Sequence, residues 1–147
     1  MLSQKLSILF LCTGNSCRSQ MAEGWTKHLK SDLIDASSAG IETHGLNPNA
    51  VSVMSEAGVD ISHHQSRHLD EFKDKHFDYV ITVCSHAHET CPWFPGKSKV
   101  IHVGFDDPPL LAKEKRDPEE KLNCYRRVRD EIKAFVLTLP QSLEKGE

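Results

Sequence analysis

The apolar positions of the chain fall into strand-like runs that are separated by polar turns. The runs Ser7 to Cys12 and Phe77 to Cys84 are apolar at most positions, which is typical of strands buried on both faces of a parallel sheet. Shorter apolar stretches at 33–36 and 99–103 indicate two further strands. Both of the long runs end on a cysteine.

Helical periodicity fills most of the intervening chain. Apolar residues recur at helical spacing from Ser19 to Leu29, directly after the first strand and its loop, and again from about Pro118 to Leu139. Asn47 and Pro48 supply an N-cap and a first-turn proline for a helix ending at Gly58. We expect residues 141–147 to be frayed. This alternation predicts one α/β domain over residues 1–147, with a parallel sheet wrapped by helices on both faces.

Composition and charge narrow the possible functions. The chain has 147 residues with 18 Lys and Arg against 21 Asp and Glu, a formal charge of -3, which gives no electrostatic footprint for a nucleic acid. The apolar run from Leu6 to Leu11 is too short to cross a bilayer and is followed by no small-residue cleavage site. We therefore expect a cytoplasmic protein with neither a nucleic-acid nor a membrane partner. We also expect it to be a monomer. In a reducing compartment its 5 cysteines should be buried, metal-bound or catalytic.

The segment between the first strand and the first helix carries a candidate nucleophile. Cys12 and Arg18 are separated by five residues, and a loop of this kind can turn its backbone N–H groups toward a tetrahedral oxyanion. The same donors would lower the pKa of the Cys12 thiol and activate it. Singly, a buried strand-end cysteine and a solvated arginine are the simpler interpretation, but their combination favours an anion site. The predicted oxyanion-binding residues are Thr13, Gly14, Asn15, Ser16, Cys17, Arg18 and Ser19.

Two further groups of residues carry chemistry that the sequence alone leaves open. Displacing oxygen from an oxyanion requires a proton donor, and either Asp106 or Asp107 could supply it because both follow the stretch at 99–103. The segment from Cys84 to Cys91, which also contains His86 and His88, holds either a mobile pair of thiols or the ligand types of a zinc site. Its spacing is too compressed for a familiar zinc finger.

Four segments of the sequence resemble one known family. Residues 12–24, 38–45, 105–108 and 127–132 are similar to the low-molecular-weight tyrosine phosphatase superfamily, and within it to the thioredoxin-coupled arsenate reductases. The resemblance covers nearly the whole chain. It implies a four-stranded parallel sheet flanked by helices, which agrees with the pattern of apolar positions.

The resemblance also implies a reaction and its residues. Cys12 would attack arsenate, Cys84 would attack the Cys12 sulfur as arsenite leaves, and Cys91 would carry the disulfide away for reduction by thioredoxin. Arg18 would hold the oxyanion and Asp107, directly before the proline, would be the general acid. This reaction requires no organic cofactor and no metal.

One part of the family pattern is altered in this chain. Some members bind potassium beside the loop through an Asn, a Glu, a Ser, a Thr and an Asp, and Asn15, Glu23 and Ser38 match the first three. Gln65 and Arg67 replace the other two, and a guanidinium repels a cation. We therefore hypothesise that Arg67 supplies the positive charge itself, pairing with Glu23 and fixing Asn15.

Two rival functions remain at this stage. The same loop and acid would serve a small tyrosine phosphatase, although Pro109 stands where related phosphatases usually place an aromatic residue. A noncatalytic thiol or metal-sensing module would use only the thiols of Cys84 and Cys91. Cys17, with its side chain turned away from the anion, and Cys124 receive no role, and the remaining histidines, including His63, His64 and His68, are expected at the surface.

Overall fold

A computed structural model of the protein describes residues 5–84 and 98–145. Its centre is a sheet of four parallel strands in the order β2-β1-β3-β4. The predicted α/β class and the four-stranded parallel sheet are confirmed. The strands are β1 (Leu6–Cys12), β2 (Ile34–Gly40), β3 (Tyr79–Thr82) and β4 (Lys99–His102).

Three of the helices lie where the sequence predicts them, whereas those at Leu69–Phe72 and Pro108–Ala112 were not predicted. The helices are α1 (Arg18–Leu29), α2 (Pro48–Glu56), α3 (Pro108–Ala112), α4 (Pro118–Leu137) and α5 (Gln141–Lys145), with a 3-10 helix at Leu69–Phe72. The side chain of Asn47 caps α2 as expected, and Gly58 has a φ of 86° just beyond the end of that helix. Among the described residues, no helix has both the length and the apolar character needed to cross a membrane.

The two faces of the sheet are buried by different elements. On one face, Ile8 and Phe10 of β1 belong to a large apolar cluster with residues of α1, α2 and α4. On the other face, Leu9 and Leu11 pack in a smaller cluster with Phe77, against which the 3-10 helix lies. Because β1 is covered on both faces, residues 8–11 are completely buried, as the continuous apolar run requires.

The carboxyl end of the chain differs from the sequence prediction. Residues expected to be frayed form α5, and Leu143 in that helix is only 2% exposed. Leu139 and Leu143 lie four residues apart on either side of Pro140 and both belong to the large apolar cluster. The prediction was wrong for residues 141–145 because this apolar spacing continues across Pro140.

The topology brings several chemically important segments to one edge of the sheet. Cys12 is the last residue of β1, and Cys84 lies shortly beyond β3, the neighbouring strand in the sheet. The residues that follow β4 include Asp107, directly before α3. Since all four strands are parallel, these ends lie at the same edge, where ligands of open α/β sheets bind.

Candidate active site

The loop between β1 and α1 encloses a small cavity at this edge. Its volume is about 230 Å³, a size suited to one small anion. Residues from the loop, from the start of α1, from the segment after β2 and from the segment after β4 all contribute to its wall. The described residues that line it are Cys12, Thr13, Gly14, Ser16, Cys17, Arg18, His44, Asp107 and Pro109.

Arg18 is held in a fixed position at this cavity. It is 3% exposed, its Nη1 atom donates to the Phe105 carbonyl oxygen at 3.1 Å, and its Nη2 atom lies 3.6 Å from Asp107 Oδ1. A buried guanidinium needs such partners because an unpaired buried charge is costly. The planar group is therefore preorganised at the cavity together with the Cys12 sulfur, the arrangement predicted from their spacing.

The structure separates the two adjacent aspartates. The Asp106 carboxylate accepts a hydrogen bond from Arg127 Nη2 at 2.6 Å in an exposed ion pair. Asp107 instead lines the cavity beside Arg18. Of these two aspartates, Asp107 is the one at the cavity that also contains Cys12, a distinction that the sequence could make only through the family resemblance.

Asn15 supports the loop from its buried side. It is fully buried and adopts a φ of 47°, in the left-handed region that asparagine tolerates better than most residues. Its Nδ2 donates to Ser19 Oγ and Ser38 Oγ, both at 2.9 Å. Its Oδ1 accepts from Arg67 N at 2.6 Å and from Gln20 Nε2 at 3.0 Å. The side chains of Asn15 and Ser19, which we expected around the anion, thus belong to the network behind the loop.

We expect Asn15→Ala to lower the free energy of unfolding by about 3 kcal/mol, because it leaves several buried polar groups without partners. Asn15→Gly should be about 1 kcal/mol less destabilising, since glycine adopts the left-handed backbone without steric cost. Denaturant unfolding curves measure both values. Asn123→Ala, on the exposed side of α4, is the control with an expected change below about 0.5 kcal/mol. Equal stability of Asn15→Ala and the parent protein would contradict this role.

The predicted ion pair between Arg67 and Glu23 is wrong. The Arg67 guanidinium binds Glu71 at 3.1 Å, and only its main-chain N–H reaches Asn15. Glu23 instead pairs with Lys27 Nζ at 2.6 Å and accepts a hydrogen bond from Ser38 Oγ at 2.5 Å. Glu23 and Glu71 each form an ion pair with a cation four residues away in the sequence. This is the spacing that brings side chains together on a helix. Lys27 therefore forms the ion pair with Glu23, although Arg67 lines the same small cavity as these two residues.

His64 is also not the simple surface residue that we expected. It is half-buried, and its Nδ1 lies 3.0 Å from Gln20 Oε1. Burial lowers the pKa of its imidazole, an effect that the Glu23 carboxylate partly opposes. Because Gln20 also donates to Asn15, His64 extends the network that supports the loop.

Cys17 lies closer to the cavity than predicted. It lines the cavity and is 4% exposed, although we expected its side chain to turn away. Burial raises the pKa of its thiol well above the usual value, and the charges of Cys12 and Asp107 raise it further while Arg18 lowers it. Cys17 is therefore a poor competitor for the nucleophilic role, because the reactive form of cysteine is the thiolate. Cys124 lies away from this site, in a groove of about 600 Å³ between α3 and α4.

Cys84 lies near Cys12 through the pairing of β1 with β3. Leu11 pairs with Thr82, and Val83 N donates to the Leu11 carbonyl oxygen at 2.9 Å. The segments that end at Cys12 and Cys84 therefore lie side by side. Cys84 is fully buried and disulfide-bonded, whereas Cys12 is not part of a disulfide. Three residues of the predicted relay or zinc segment, His86, His88 and Cys91, lie outside the described residues.

Sequence reasoning missed part of the cavity wall. His44 lines the cavity, and its Nε2 lies 2.5 Å from Glu42 Oε1. Both residues lie within the family-like segment at 38–45, but no role was assigned to them. The available signal was a glutamate and a histidine two residues apart, just past the carboxyl end of β2.

A thiol, a buried arginine and a carboxyl group around a small cavity, at the carboxyl edge of a four-stranded parallel sheet, define a site of the low-molecular-weight phosphatase type. Comparison of the sequence with family models gives the same answer, since residues 7–147 match the family described as low molecular weight phosphotyrosine protein phosphatase. The chain belongs to this family, and the resemblance inferred from its motifs is confirmed.

Within the family the chain is similar to bacterial arsenate reductases. It is 50% identical over 138 residues to the arsenate reductase of Halalkalibacterium halodurans, covering 94% of this chain and 97% of that protein. With the arsenate reductase of Bacillus subtilis strain 168 it shares 52% identity over 125 residues, covering 85% of this chain and 88% of that protein. A solved arsenate reductase in its oxidized state aligns at 30% identity with a TM-score of 0.73, covering 90% of this chain and 95% of that one.

Proposed function

We propose that the protein is an arsenate reductase in which Cys12 is the nucleophile, Cys84 the second thiol and Cys91 the thiol that exports the disulfide. The observation that carries the proposal is the cavity itself, in which Cys12 lies beside buried Arg18 and Asp107. The similarity to arsenate reductases at about half identity supports the choice of substrate. Cysteine chemistry of this kind belongs in a reducing compartment, in agreement with the expected cytoplasmic location.

The electrons for the reduction come from two thiols. The Cys12 thiolate attacks arsenic, one oxygen leaves as water, and a sulfur–arsenic bond forms. Cys84 then attacks the Cys12 sulfur, the sulfur–arsenic bond breaks, and arsenic leaves as arsenite with both electrons of that bond. Overall, arsenic acid and two thiols give arsenous acid, one disulfide and one water. The proximity of Cys84 to the end of β1 supports this second step.

Arg18, the loop amides and Asp107 divide the remaining tasks of the first step. Arg18 and the main-chain N–H groups of the loop hold the oxyanion and stabilise charge on it during the attack. Asp107 donates the proton that allows an oxygen to leave as water, because it lines the cavity and is 31% exposed, so that solvent can reprotonate it.

We expect Asp107→Asn to lower kcat for arsenate by about 10²- to 10⁴-fold, the usual contribution of a general acid. Asp106→Asn should change kcat by less than about threefold, because it disrupts only an exposed ion pair with Arg127. Steady-state kinetics of the two variants provide the comparison, with circular dichroism to confirm folding. Similar losses in both variants would show that the charge of the segment, rather than an acid at position 107, matters.

Thioredoxin is the proposed reductant of the resulting Cys84–Cys91 disulfide. A relay that uses three thiols of one chain finishes with a disulfide that a protein dithiol can reduce by exchange. The test is a coupled assay with thioredoxin, thioredoxin reductase and NADPH, comparing the parent with Cys91→Ser. The parent should turn over repeatedly, while Cys91→Ser should stop after about one turnover. Repeated turnover by Cys91→Ser at the parent rate would remove Cys91 from the proposal.

A phosphatase activity is the second candidate, because the same thiolate and acid can transfer a phosphoryl group. A low molecular weight protein tyrosine phosphatase from T. tengcongensis aligns at 28% identity with a TM-score of 0.66, covering 94% of this chain and 99% of that one. Of the described residues that line the cavity, however, none is Phe, Tyr or Trp. Because the described part of the wall offers no side chain to pack on an aryl ring, we propose only weak phosphatase activity.

A further inference from the structure

His44 occupies a place on the cavity wall that the proposed reaction leaves unused. Its main-chain N–H donates to the Gly14 carbonyl oxygen at 3.0 Å. Its imidazole packs against the Cα of Gly14, so closely that any side chain at position 14 would collide with the ring. A larger residue at position 14 would therefore have to displace the His44 side chain, and the ring lies against the anion loop at the cavity.

Glu42 holds this imidazole in place. Glu42 Oε1 lies 2.5 Å from His44 Nε2, and the Glu42 main-chain N–H donates to the Thr13 carbonyl oxygen at 3.0 Å. Both residues are therefore tied to the loop through their backbone as well as to each other. A carboxylate bonded to Nε2 fixes the proton on that nitrogen and orients the ring.

The other ring nitrogen is available for a ligand. In the part of the chain that the structure describes, His44 Nδ1 makes no hydrogen bond, and it is the ring atom nearest to Gly14 at the cavity. With Nε2–H directed at Glu42, Nδ1 carries a proton only when the ring is the imidazolium ion. In that state the ring presents both a positive charge and a donor to an anion.

We propose that the Glu42–His44 pair is an additional oxyanion-binding element, in which the His44 imidazolium donates from Nδ1 to an outer oxygen of the bound tetrahedral oxyanion. This deepens the proposed function, on which it rests for the identity of the substrate. The preferred ligand is a doubly charged inorganic oxyanion, since a second cation beside Arg18 favours two negative charges. His44 is thus a specificity-determining residue as well as part of the cavity wall.

Proton uptake follows from this arrangement. Because the imidazolium form is the proposed donor, the proposal predicts that binding of a dianion takes up a proton and weakens as the pH rises. Other ionisable groups at the cavity also affect anion binding, so the comparison with a His44 variant is needed to separate their contribution. Among the described residues, the ionisable neighbours of the ring and the cavity are Glu42, Cys12, Cys17, Arg18 and Asp107.

Sulfate is the appropriate probe because it stays a dianion across this pH range and cannot be reduced by the thiols. Calorimetric titration of the reduced full chain with sulfate at about pH 6 and about pH 8 should be compared with His44→Gln, which keeps a polar side chain without the charge. At the lower pH, His44→Gln should bind sulfate about tenfold more weakly, the loss of one charge-assisted hydrogen bond. At the higher pH the two proteins should differ by less than about threefold.

Two further measurements complete the test. Glu42→Gln should lose part of the sulfate affinity that His44→Gln loses at the lower pH. Titrations in buffers of different ionisation enthalpy should show that both variants take up less proton on binding sulfate than the parent does. For arsenate, His44→Gln should raise KM more than it lowers kcat. Sulfate affinity and proton uptake identical in parent and His44→Gln would overturn the inference. Because sulfate binding needs no turnover, absence of arsenate reduction in every protein would refute the proposed function while leaving this inference standing.

Discussion

Replacing Cys12 with serine should reduce arsenate turnover to the uncatalysed background. The serine hydroxyl lacks the nucleophilicity of a thiolate and cannot donate two electrons through an oxygen–arsenic bond, so both the first bond and the reduction are lost. The cavity should survive, because Arg18 is also held by the Phe105 carbonyl oxygen and by Asp107, and the Asn15 side chain is bonded to Ser19 and Ser38. Sulfate binding to Cys12→Ser should therefore match or exceed that of the parent, since a negative charge has been removed from the site.

Cys124→Ser is the matched control for this experiment. Cys124 lies on α4, in the groove between α3 and α4 rather than at the anion cavity, and its replacement should change turnover by less than about twofold. Turnover of Cys12→Ser above about 1% of the parent would contradict the nucleophilic role, since serine in this position supplies no comparable chemistry.

Replacing Cys84 with serine should abolish multiple-turnover reduction while sparing the anion site. Cys12 would still attack arsenate, but no thiol would lie at the end of β3 to attack its sulfur. The sulfur–arsenic adduct should then accumulate or hydrolyse back to arsenate, with no arsenite released. Mass spectrometry of the quenched protein detects the sulfur–arsenic adduct, and an arsenite assay measures the product released.

The phosphatase reaction separates loss of the second thiol from loss of the fold. Weak hydrolysis of p-nitrophenyl phosphate needs Cys12, Arg18 and Asp107 but no second thiol, so Cys84→Ser should retain it within about threefold. Serine is the closest replacement for cysteine in size. Because Cys84 is fully buried, the unfolding midpoint of Cys84→Ser should be measured to confirm that the variant folds. Arsenite formation by Cys84→Ser at the parent rate would exclude the relay.

The part of the site that could be predicted from the sequence is contiguous in the chain. The run that ends at Cys12, the polar loop and the helix that starts at Arg18 form one strand–loop–helix unit, and local pattern alone places both residues at one cavity. The burial of β1 on both faces followed from the same run of apolar residues. Cys84 and Asp107 also follow predicted strands, but the sequence assigned their roles only through the family resemblance.

The ion pair of Glu23 and the position of His44 could not be predicted from the sequence, because they depend on which residues the fold brings together. Glu23 has Lys27 four residues away and Arg67 far along the chain, and the near cation forms the pair. His44 was missed because its role arises only when the segment after β2 folds against Gly14.

A single-turnover experiment tests the central claim that two thiols of this chain reduce arsenate. Fully reduced protein is mixed with excess arsenate without any external reductant, and arsenite, remaining thiols and disulfide connectivity are determined on the same quenched sample. We predict one arsenite per protein molecule, the loss of two thiols, and disulfides confined to Cys12, Cys84 and Cys91. Arsenite formed without loss of thiols, or thiol loss confined to Cys17 and Cys124, would contradict the account.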